Sequence, residues 1–83
     1  MKARIHVTLK KTVLDPQGQT IHQAVQTLGY HGIEEIRQGK YFEITLDDSL
    51  SREAWAALMD KLAHEVLSNP VIEEYDVALE EEP

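Results

Sequence analysis

Residues 2–18 read KARIHVTLKKTVLDPQG, an alternating run that changes abruptly at Asp15-Pro16. Apolar side chains occupy every second position from Ala3 to Leu9, which indicates a β-strand with one buried face. Asp15 can then cap the free backbone N–H groups at the start of a helix, and Pro16 suits the first helical turn. The stretch predicts a strand that leads into a helix, and the rest of the chain repeats that order.

Gly18 falls in the first turn of the predicted helix. Glycine within a helix costs about 0.5–1 kcal/mol relative to alanine, so its presence needs a reason. One interpretation is that another backbone, such as that of a partner protein, approaches the helix closely here. The other is that glycine is tolerated because helix ends fray. The sequence leaves both interpretations open.

The first predicted helix has an amphipathic pattern and ends at a glycine. Ile21, Ala24, Val25 and Leu28 follow the i, i+3, i+4, i+7 spacing of one apolar face. Gly29 comes next, at the position where a residue with positive φ commonly ends a helix. We therefore expect a helix of about three turns.

Two further strands are predicted after this helix. Residues 33–38 and 41–47 favour short strands joined by a hairpin turn at Gly39-Lys40, although Glu34-Glu35 interrupts the alternation of the first. In the second, Phe42, Ile44 and Leu46 point inward.

A second helix and a last strand complete the chain. Either Ser49 or Ser51 can cap the helix, and Asn69-Pro70 ends it because proline restricts the preceding residue to extended conformations. Residues 71–79 then alternate as a strand. The apolar positions of the helix recur at helical spacing: Trp55, Leu58, Met59, Leu62 and Val66.

The element order β-α-β-β-α-β predicts one α+β domain over residues 1–83. We expect a two-layer sandwich of ferredoxin-like type, with a four-stranded antiparallel sheet and both helices on one face. The other face of the sheet is then uncovered, polar and of mixed charge, and it can pair with a second copy of the chain. It is predicted to carry Arg4, His6, Thr8, Tyr41, Glu43, Thr45 and Asp76.

Composition excludes several classes of function. Fifteen acidic and eight basic side chains give a net charge of −7, which opposes non-specific binding to nucleic acid and to anionic membranes. The chain has no cysteine, so disulfides, thiol catalysis and cysteine-based zinc sites are excluded. No apolar run approaches the roughly 20 residues of a membrane span, and no signal-peptide pattern is seen. We expect a soluble cytoplasmic protein.

Charge is also distributed unevenly along the chain. Basic residues concentrate in the first predicted strand and acidic residues in the last. If these two strands lie side by side, their outward side chains attract each other.

No combination of residues indicates an active site. None of the four histidines has a partner at a recognised metal-ligand spacing, and the serines lack the context of a nucleophile. Tyr41 lies on a strand where RNA-recognition domains place stacking aromatics, but Glu43 beside it and the negative net charge argue against RNA binding. We therefore expect no catalytic residue, no metal site and no cofactor in this chain.

Five sequence blocks in order resemble the PurS family, the small subunits of phosphoribosylformylglycinamidine synthase. The resemblance spans nearly the whole chain. The blocks are Val7-Thr8-Leu9-Lys10, Leu14-Asp15-Pro16-Gln17-Gly18, Leu28-Gly29-Tyr30, Arg37-Gln38-Gly39-Lys40 and Asn69-Pro70-Val71-Ile72-Glu73-Glu74-Tyr75.

The resemblance implies a subunit without catalytic activity of its own. Members of the family join a glutaminase subunit, PurQ, and an ATP-dependent synthetase subunit, PurL, in one complex of purine biosynthesis. The partner subunits use ATP, Mg²⁺ and glutamine, and the small subunit supports the transfer of ammonia between them. The family also implies a homodimer or a higher homo-oligomer.

The blocks supply nine candidate residues for contact with partner subunits. Asn69 and Pro70 can equally serve only to end a helix, and Arg37 and Lys40 can equally form a solvated hairpin tip. The nine partner-contact candidates are Asp15, Pro16, Gln17, Gly18, Arg37, Gly39, Lys40, Asn69 and Pro70.

Two other classes of function compete with this interpretation. A regulatory module of the ACT type shares the order of strands and helices and binds amino acids at dimer interfaces. A stand-alone enzyme is the third class, and the absence of a catalytic pattern argues against it.

Overall fold

The first predicted strand, β1 (Lys2–Leu9), lies at the centre of the sheet in a computed structural model that describes residues 1–81. β2 (Gly39–Thr45) and β3 (Glu73–Glu80) pair with β1 on either side, and both pairings are antiparallel. Helix α1 (Pro16–Thr27) follows β1, and helix α2 (Arg52–Leu62) follows β2. Ala63–Leu67 extends α2 as a π-helical segment before the chain enters β3.

The core lies on one face of the sheet, under α2. Ala3, Ile5 and Val7 of β1 are fully buried, as the alternation predicts. Met59 of α2 and Ala63 of the π-helical segment pack against them. The indole nitrogen of Trp55 donates a 3.2 Å hydrogen bond to the carbonyl oxygen of Asp47, which fixes the start of α2 beside the end of β2.

The predicted helix boundaries are confirmed by capping geometry. The Asp15 carboxylate accepts from the backbone of Gly18, and Ser51 rather than Ser49 caps α2 by accepting from Ala54. Gly29 follows the end of α1 with φ +93°, a conformation that L side chains rarely adopt.

The prediction of a four-stranded sheet is wrong, because residues 33–38 form no strand within the described chain. This segment runs extended beside α1, and its ends are held by side chains rather than by a neighbouring strand. The ring nitrogen of His22 lies 2.6 Å from the carbonyl oxygen of Ile33, and Asp15 accepts from the Gln38 N–H. Gly39-Lys40 is likewise no hairpin turn, since both residues belong to β2.

The prediction that both helices cover the sheet is also wrong. The substantial contacts between described elements join β1 to its two neighbours and α2 to β3, and α1 takes part in none of them. Instead, α1 packs against the extended segment after it, and the two form an arm, residues 14–38. The arm connects the end of β1 to the start of β2, so that the molecule measures 50 × 32 × 15 Å.

The expected attraction between the first and last strands is confirmed. Arg4 on β1 forms an ion pair of 3.2 Å with Glu80 on β3, and both side chains are about half exposed. Lys2 forms a second ion pair of 2.7 Å with Glu43 on β2.

Replacing Gly18 by alanine is expected to destabilise the fold. A Cβ atom there would collide with the carbonyl oxygen of Ile36 and would lie 2.7 Å from Asp15 Oδ2 and 3.1 Å from Arg37 Cα. Crowding of this kind typically costs about 1–3 kcal/mol. Urea unfolding at fixed protein concentration measures the loss, with Gln23→Ala on the exposed side of α1 as the control. Equal stability of the two variants would show that the approach of the Ile36 backbone is unimportant.

Candidate functional site

The nine partner-contact candidates lie at one end of the sheet, although they come from three distant parts of the chain. β1 ends there, and β2 and β3 begin there, since Thr8 pairs with Gly39 and Leu9 pairs with Glu73. The start of α1 and the turn before β3 adjoin the same end. The structure therefore brings residues around 15–18, 37–40 and 69–70 to one junction between the sheet and the arm.

Asp15 is the anchor of this junction. Its side chain is buried, and each carboxylate oxygen accepts one backbone hydrogen bond: Oδ1 from Gly18 at 2.9 Å and Oδ2 from Gln38 at 2.7 Å. The bond from Gln38, followed by that from Gly18, holds the pKa of the carboxyl below its ordinary value of 3.8. One side chain thus caps α1 and ties the far end of the arm to its beginning.

Arg37 closes the junction from the other side. One guanidinium nitrogen donates to the carbonyl oxygens of Lys10 and Val13, at 3.1 and 3.0 Å. The other lies 3.3 Å from Glu35. Arg37 is half-buried, so the interpretation of a solvated hairpin tip is wrong for this residue.

The close backbone approach inferred at Gly18 is made by the chain itself. Gly18 is buried against Ile36 and Arg37 of the arm. Gly39 meets a similar constraint, because a Cβ atom there would lie 2.6 Å from the carbonyl oxygen of Val7. Both glycines shape the junction, and contact between either of them and a partner subunit stays a prediction.

The surface of the junction consists of exposed residues held by this network. Pro16 and Gln17 are exposed, and Gln17 Oε1 accepts a 2.8 Å hydrogen bond from the side chain of Gln38. Lys40 is exposed and lies 3.7 Å from the carboxylate of Glu73. The junction therefore combines a rigid interior with accessible polar groups.

Asn69 and Pro70 form the turn beside Lys40. The Asn69 backbone donates to Glu73 at 2.7 Å, and its side chain accepts from Val71 at 3.1 Å. Both Asn69 and Pro70 are exposed. The hydrogen bonds of Asn69 account for a structural role in the turn before β3, while its contact with a partner stays a prediction.

Sequence reasoning missed Gln38 and Glu73 as members of this site. Gln38 links Asp15 to Gln17, and Glu73 links Lys40 to Asn69. Both lie inside the blocks that carry the family resemblance. Their roles depend on contacts between segments, which local patterns do not encode.

A cleft of about 390 Å³ opens next to the junction, between the arm and the loop after β1. Its walls include Lys11, Gln19, His22, Glu34 and Arg37. The walls carry both signs of charge beside the aliphatic side chains of Val13, Leu14 and Ile36, and polar groups make up the larger part, whereas a typical small-molecule pocket is mostly apolar.

The open face of the sheet carries the six self-association candidates, as predicted. Across the β1–β2 pair Arg4 opposes Glu43 and His6 opposes Tyr41, whereas Thr8 opposes Gly39 and Thr45 opposes Lys2. The rings of His6 and Tyr41 are in contact, tilted by 36° with centroids 4.7 Å apart. The hydrogen bond from Lys2 lowers the pKa of Glu43. The six residues are Arg4, His6, Thr8, Tyr41, Glu43 and Thr45.

Residues 1–81 contain neither a cluster of metal-ligand side chains nor a membrane-spanning helix. No group of three or more histidine, aspartate or glutamate side chains among these residues is placed to hold a metal ion. Within the same part of the chain, no helix has the length and hydropathy required to cross a membrane.

Comparison with known proteins gives a consistent result. Residues 2–81 match the family model described as PurS: Phosphoribosylformylglycinamidine (FGAM) synthase. The chain is 40% identical to phosphoribosylformylglycinamidine synthase subunit PurS of Mycobacterium leprae, over 95% of each chain.

Solved structures agree in fold. PurS of Methanocaldococcus jannaschii, described as a subunit of formylglycinamide ribonucleotide amidotransferase in the purine biosynthetic pathway, superposes with a TM-score of 0.87. It is 30% identical, with 99% of this chain and 98% of that chain covered. A chain of the PurLQS structure from Thermotoga maritima gives a TM-score of 0.84 at 30% identity, with 93% of each chain covered.

Asp15→Asn is expected to lower the stability of the fold at neutral pH, because an amide cannot accept both backbone hydrogen bonds. Since the folded pKa of Asp15 is depressed, its stabilisation is present above pH 3.8 and is lost as the pH falls through the folded value. The difference in unfolding free energy between wild type and variant should therefore shrink in acid. Asp48→Asn on an exposed turn is the control, and an equal effect of both substitutions would contradict the anchoring role.

Proposed function

The chain belongs to the PurS family of phosphoribosylformylglycinamidine synthase, and from this premise we propose that it bridges the other subunits of that enzyme. In this role the chain has no catalytic residues of its own and connects the glutaminase subunit PurQ to the ATP-dependent synthetase subunit PurL. We place this complex in the cytoplasm. ATP, Mg²⁺ and glutamine are used by the partner subunits, and no residue of this chain is assigned to them.

The observation that carries the proposal is the convergence of the family blocks on one junction. Residues from 15–18, 37–40 and 69–70 share a surface held from within by Asp15 and Arg37. A surface ordered before binding loses little conformational entropy when a partner docks. The solved PurLQS structure contains a chain of this fold, which supports a role in such an assembly.

The chemistry of ammonia transfer explains why a bridging subunit needs shape rather than reactive groups. Neutral ammonia is small and escapes into water unless the path between the two active centres is closed. A closed path requires surfaces that pack without gaps at the subunit junctions. Rigid backbone at Pro16 and at the turn around Pro70 meets this requirement better than mobile side chains do.

We propose that the open face serves a second purpose, pairing with another copy of the chain. Its basic residues lie on β1 and its acidic residues on the neighbouring strands, with Arg4 and Glu43 opposite each other across the β1–β2 pair. A two-fold axis that lies between β1 and β2 brings Arg4 of each copy to Glu43 of the other, since each subunit offers the same patch to its partner. This pairing gives the homo-oligomer that the family resemblance implies.

Reconstitution tests the bridging role. The rate of glutamine-dependent amidine synthesis by the synthetase and glutaminase should fall at least tenfold without this chain. The rate with ammonium salt as the nitrogen source should fall much less, because free ammonia needs no path between subunits. Equal glutamine-dependent rates with and without the chain would refute the proposal.

Lys40→Ala is expected to weaken assembly without unfolding the chain. Lys40 is exposed at the junction, and its ion pair with Glu73 at 3.7 Å is long. We expect Lys40 to act as an interface hot spot, where truncation costs about 2 kcal/mol or more, which is over tenfold in affinity. Mass measurement of the three-subunit mixture at graded concentrations gives the affinity. Lys61→Ala on α2 is the control, and equal affinity of both variants would exclude Lys40 from the interface.

A further inference from the structure

The cleft next to the junction has a size and a frame that suit a small ligand. Its volume of about 390 Å³ falls within the range of about 300–1,000 Å³ that is usual for ligand pockets. The loop after β1 forms one wall, and the arm forms the other. Bonds from Arg37 to the carbonyl oxygens of Lys10 and Val13 hold the two walls together. The cleft is therefore shaped before a ligand arrives, which lowers the entropic cost of binding.

Several charged groups of the cleft are already bonded within the chain. The Asp15 carboxylate is buried and accepts from the backbone N–H groups of Gly18 and Gln38. One guanidinium nitrogen of Arg37 serves the wall carbonyl groups, and the other lies 3.3 Å from Glu35. These groups hold the walls in place and have little bonding capacity left for a ligand.

Two other charged side chains of the cleft, Lys11 and Glu34, are unpaired. Neither of them forms a hydrogen bond or an ion pair with any residue between 1 and 81. Lys11 belongs to the wall that the loop forms, and Glu34 belongs to the wall that the arm forms. The cleft thus presents one cation and one anion from different walls. A ligand that carries both an anionic and a cationic group satisfies both of them.

Two uncharged polar side chains of α1 also line the cleft. The side-chain amide of Gln19 has no hydrogen bond to the described part of the chain, so it offers both a donor and an acceptor. The Nε2 atom of His22 lies 2.6 Å from the carbonyl oxygen of Ile33. Because a carbonyl oxygen can only accept, Nε2 carries the hydrogen, and Nδ1 of the neutral ring is left as an acceptor. These two side chains together match a carboxamide, which donates and accepts.

The charge of the cleft selects against other small ligands. An anionic excess repels nucleotides, phosphate and other polyanions. A polyamine would bring its charge against the Lys11 ammonium, whereas a zwitterion is neutral overall and opposes each charge with its opposite. Three acidic side chains line the cleft against two basic ones: Asp15, Glu34 and Glu35 against Lys11 and Arg37.

We propose that this cleft binds a free α-amino acid with a carboxamide side chain. The α-carboxylate pairs with Lys11, the α-ammonium pairs with Glu34, and the carboxamide bonds to Gln19 and to His22. The amino acid is bound without being transformed, so this site is separate from the glutamine that the glutaminase subunit consumes. It lies within one chain and does not rest on the bridging role.

Occupancy of the cleft has a structural consequence. A ligand held by Lys11 and Glu34 connects the loop to the arm, and it adds to the bonds that Arg37 already makes between them. The folded chain is stabilised by any molecule that binds it in preference to the unfolded chain. We therefore expect the amino acid to tighten the base of the arm.

The first test measures binding to the full-length chain with L-glutamine as the probe. Titration of the isotope-labelled protein should give saturable shifts of the backbone amide signals of Lys11, Gln19 and Glu34, and none along α2. L-Glutamate has the same length but lacks the amide donor, and it should bind at least about fivefold more weakly. Inorganic phosphate and putrescine should give no saturable shift.

The second test assigns each charged group of the ligand to its residue. Glutaminamide lacks the α-carboxylate, and N-acetylglutamine lacks the α-ammonium. Each should bind the wild type at least about fivefold more weakly than glutamine does. Lys11→Ala should remove the preference over glutaminamide, and Glu34→Ala should remove the preference over N-acetylglutamine. Both positions are exposed, so the variants keep their fold.

Matched controls lie on the exposed surface of α2. Lys61→Ala and Glu53→Ala remove the same types of charge far along the chain from the cleft, and both preferences should survive in them.

Four results would overturn the amino-acid site. Glutamine gives no saturable shift in the first, and phosphate or putrescine binds more tightly than glutamine in the second. In the third, both preferences survive in Lys11→Ala and in Glu34→Ala. In the fourth, the control variants lose the preferences as fully as the cleft variants do.

Discussion

The structure depends on the two backbone hydrogen bonds that the Asp15 carboxylate accepts. The donors are the backbone N–H groups of Gly18 and Gln38, which lie near the two ends of the segment that connects β1 to β2. One bond caps a helix, and the other positions the chain as it enters β2. The second bond acts together with the bonds from Arg37 to the carbonyl oxygens of Lys10 and Val13 to fix the direction of the arm relative to the sheet. The shape of the junction and the separation of α1 from its own sheet both follow from this carboxylate.

Local features of the fold were predictable from the sequence because they depend on neighbouring residues. The alternation of β1, the cap at Asp15 and the positive φ at Gly29 each follow from a few side chains. The prediction of a strand at residues 33–38 was wrong because strand formation does not depend on neighbouring residues alone. A strand requires a partner that pattern alone does not supply, and here side chains of α1 and Asp15 hold the segment instead.

The sequence predicted most of the residues that form the site, but it did not predict the contacts that hold them together. The sequence blocks that carry the family resemblance contain residues that meet at one end of the sheet. Three of these residues are buried or half-buried and do not face solvent. Asp15, Gly18 and Arg37 build the junction, and their neighbours Pro16 and Gln17 are left to face solvent. Gln38 and Glu73 act through contacts that join distant segments, so no spacing along the chain could identify them.

The central position of β1 has a consequence for how the protein is made. β1 leaves the ribosome before β2 and β3 and pairs with both, with Lys2 opposite Thr45 and Glu80. Its buried face cannot be completed until β3 has been synthesised, more than 60 residues after the end of β1. Such a topology has a high contact order, and chains of this kind fold slowly relative to helical proteins of equal size. During synthesis, the strand with the most deeply buried side chains therefore stays without its second neighbour until β3 emerges.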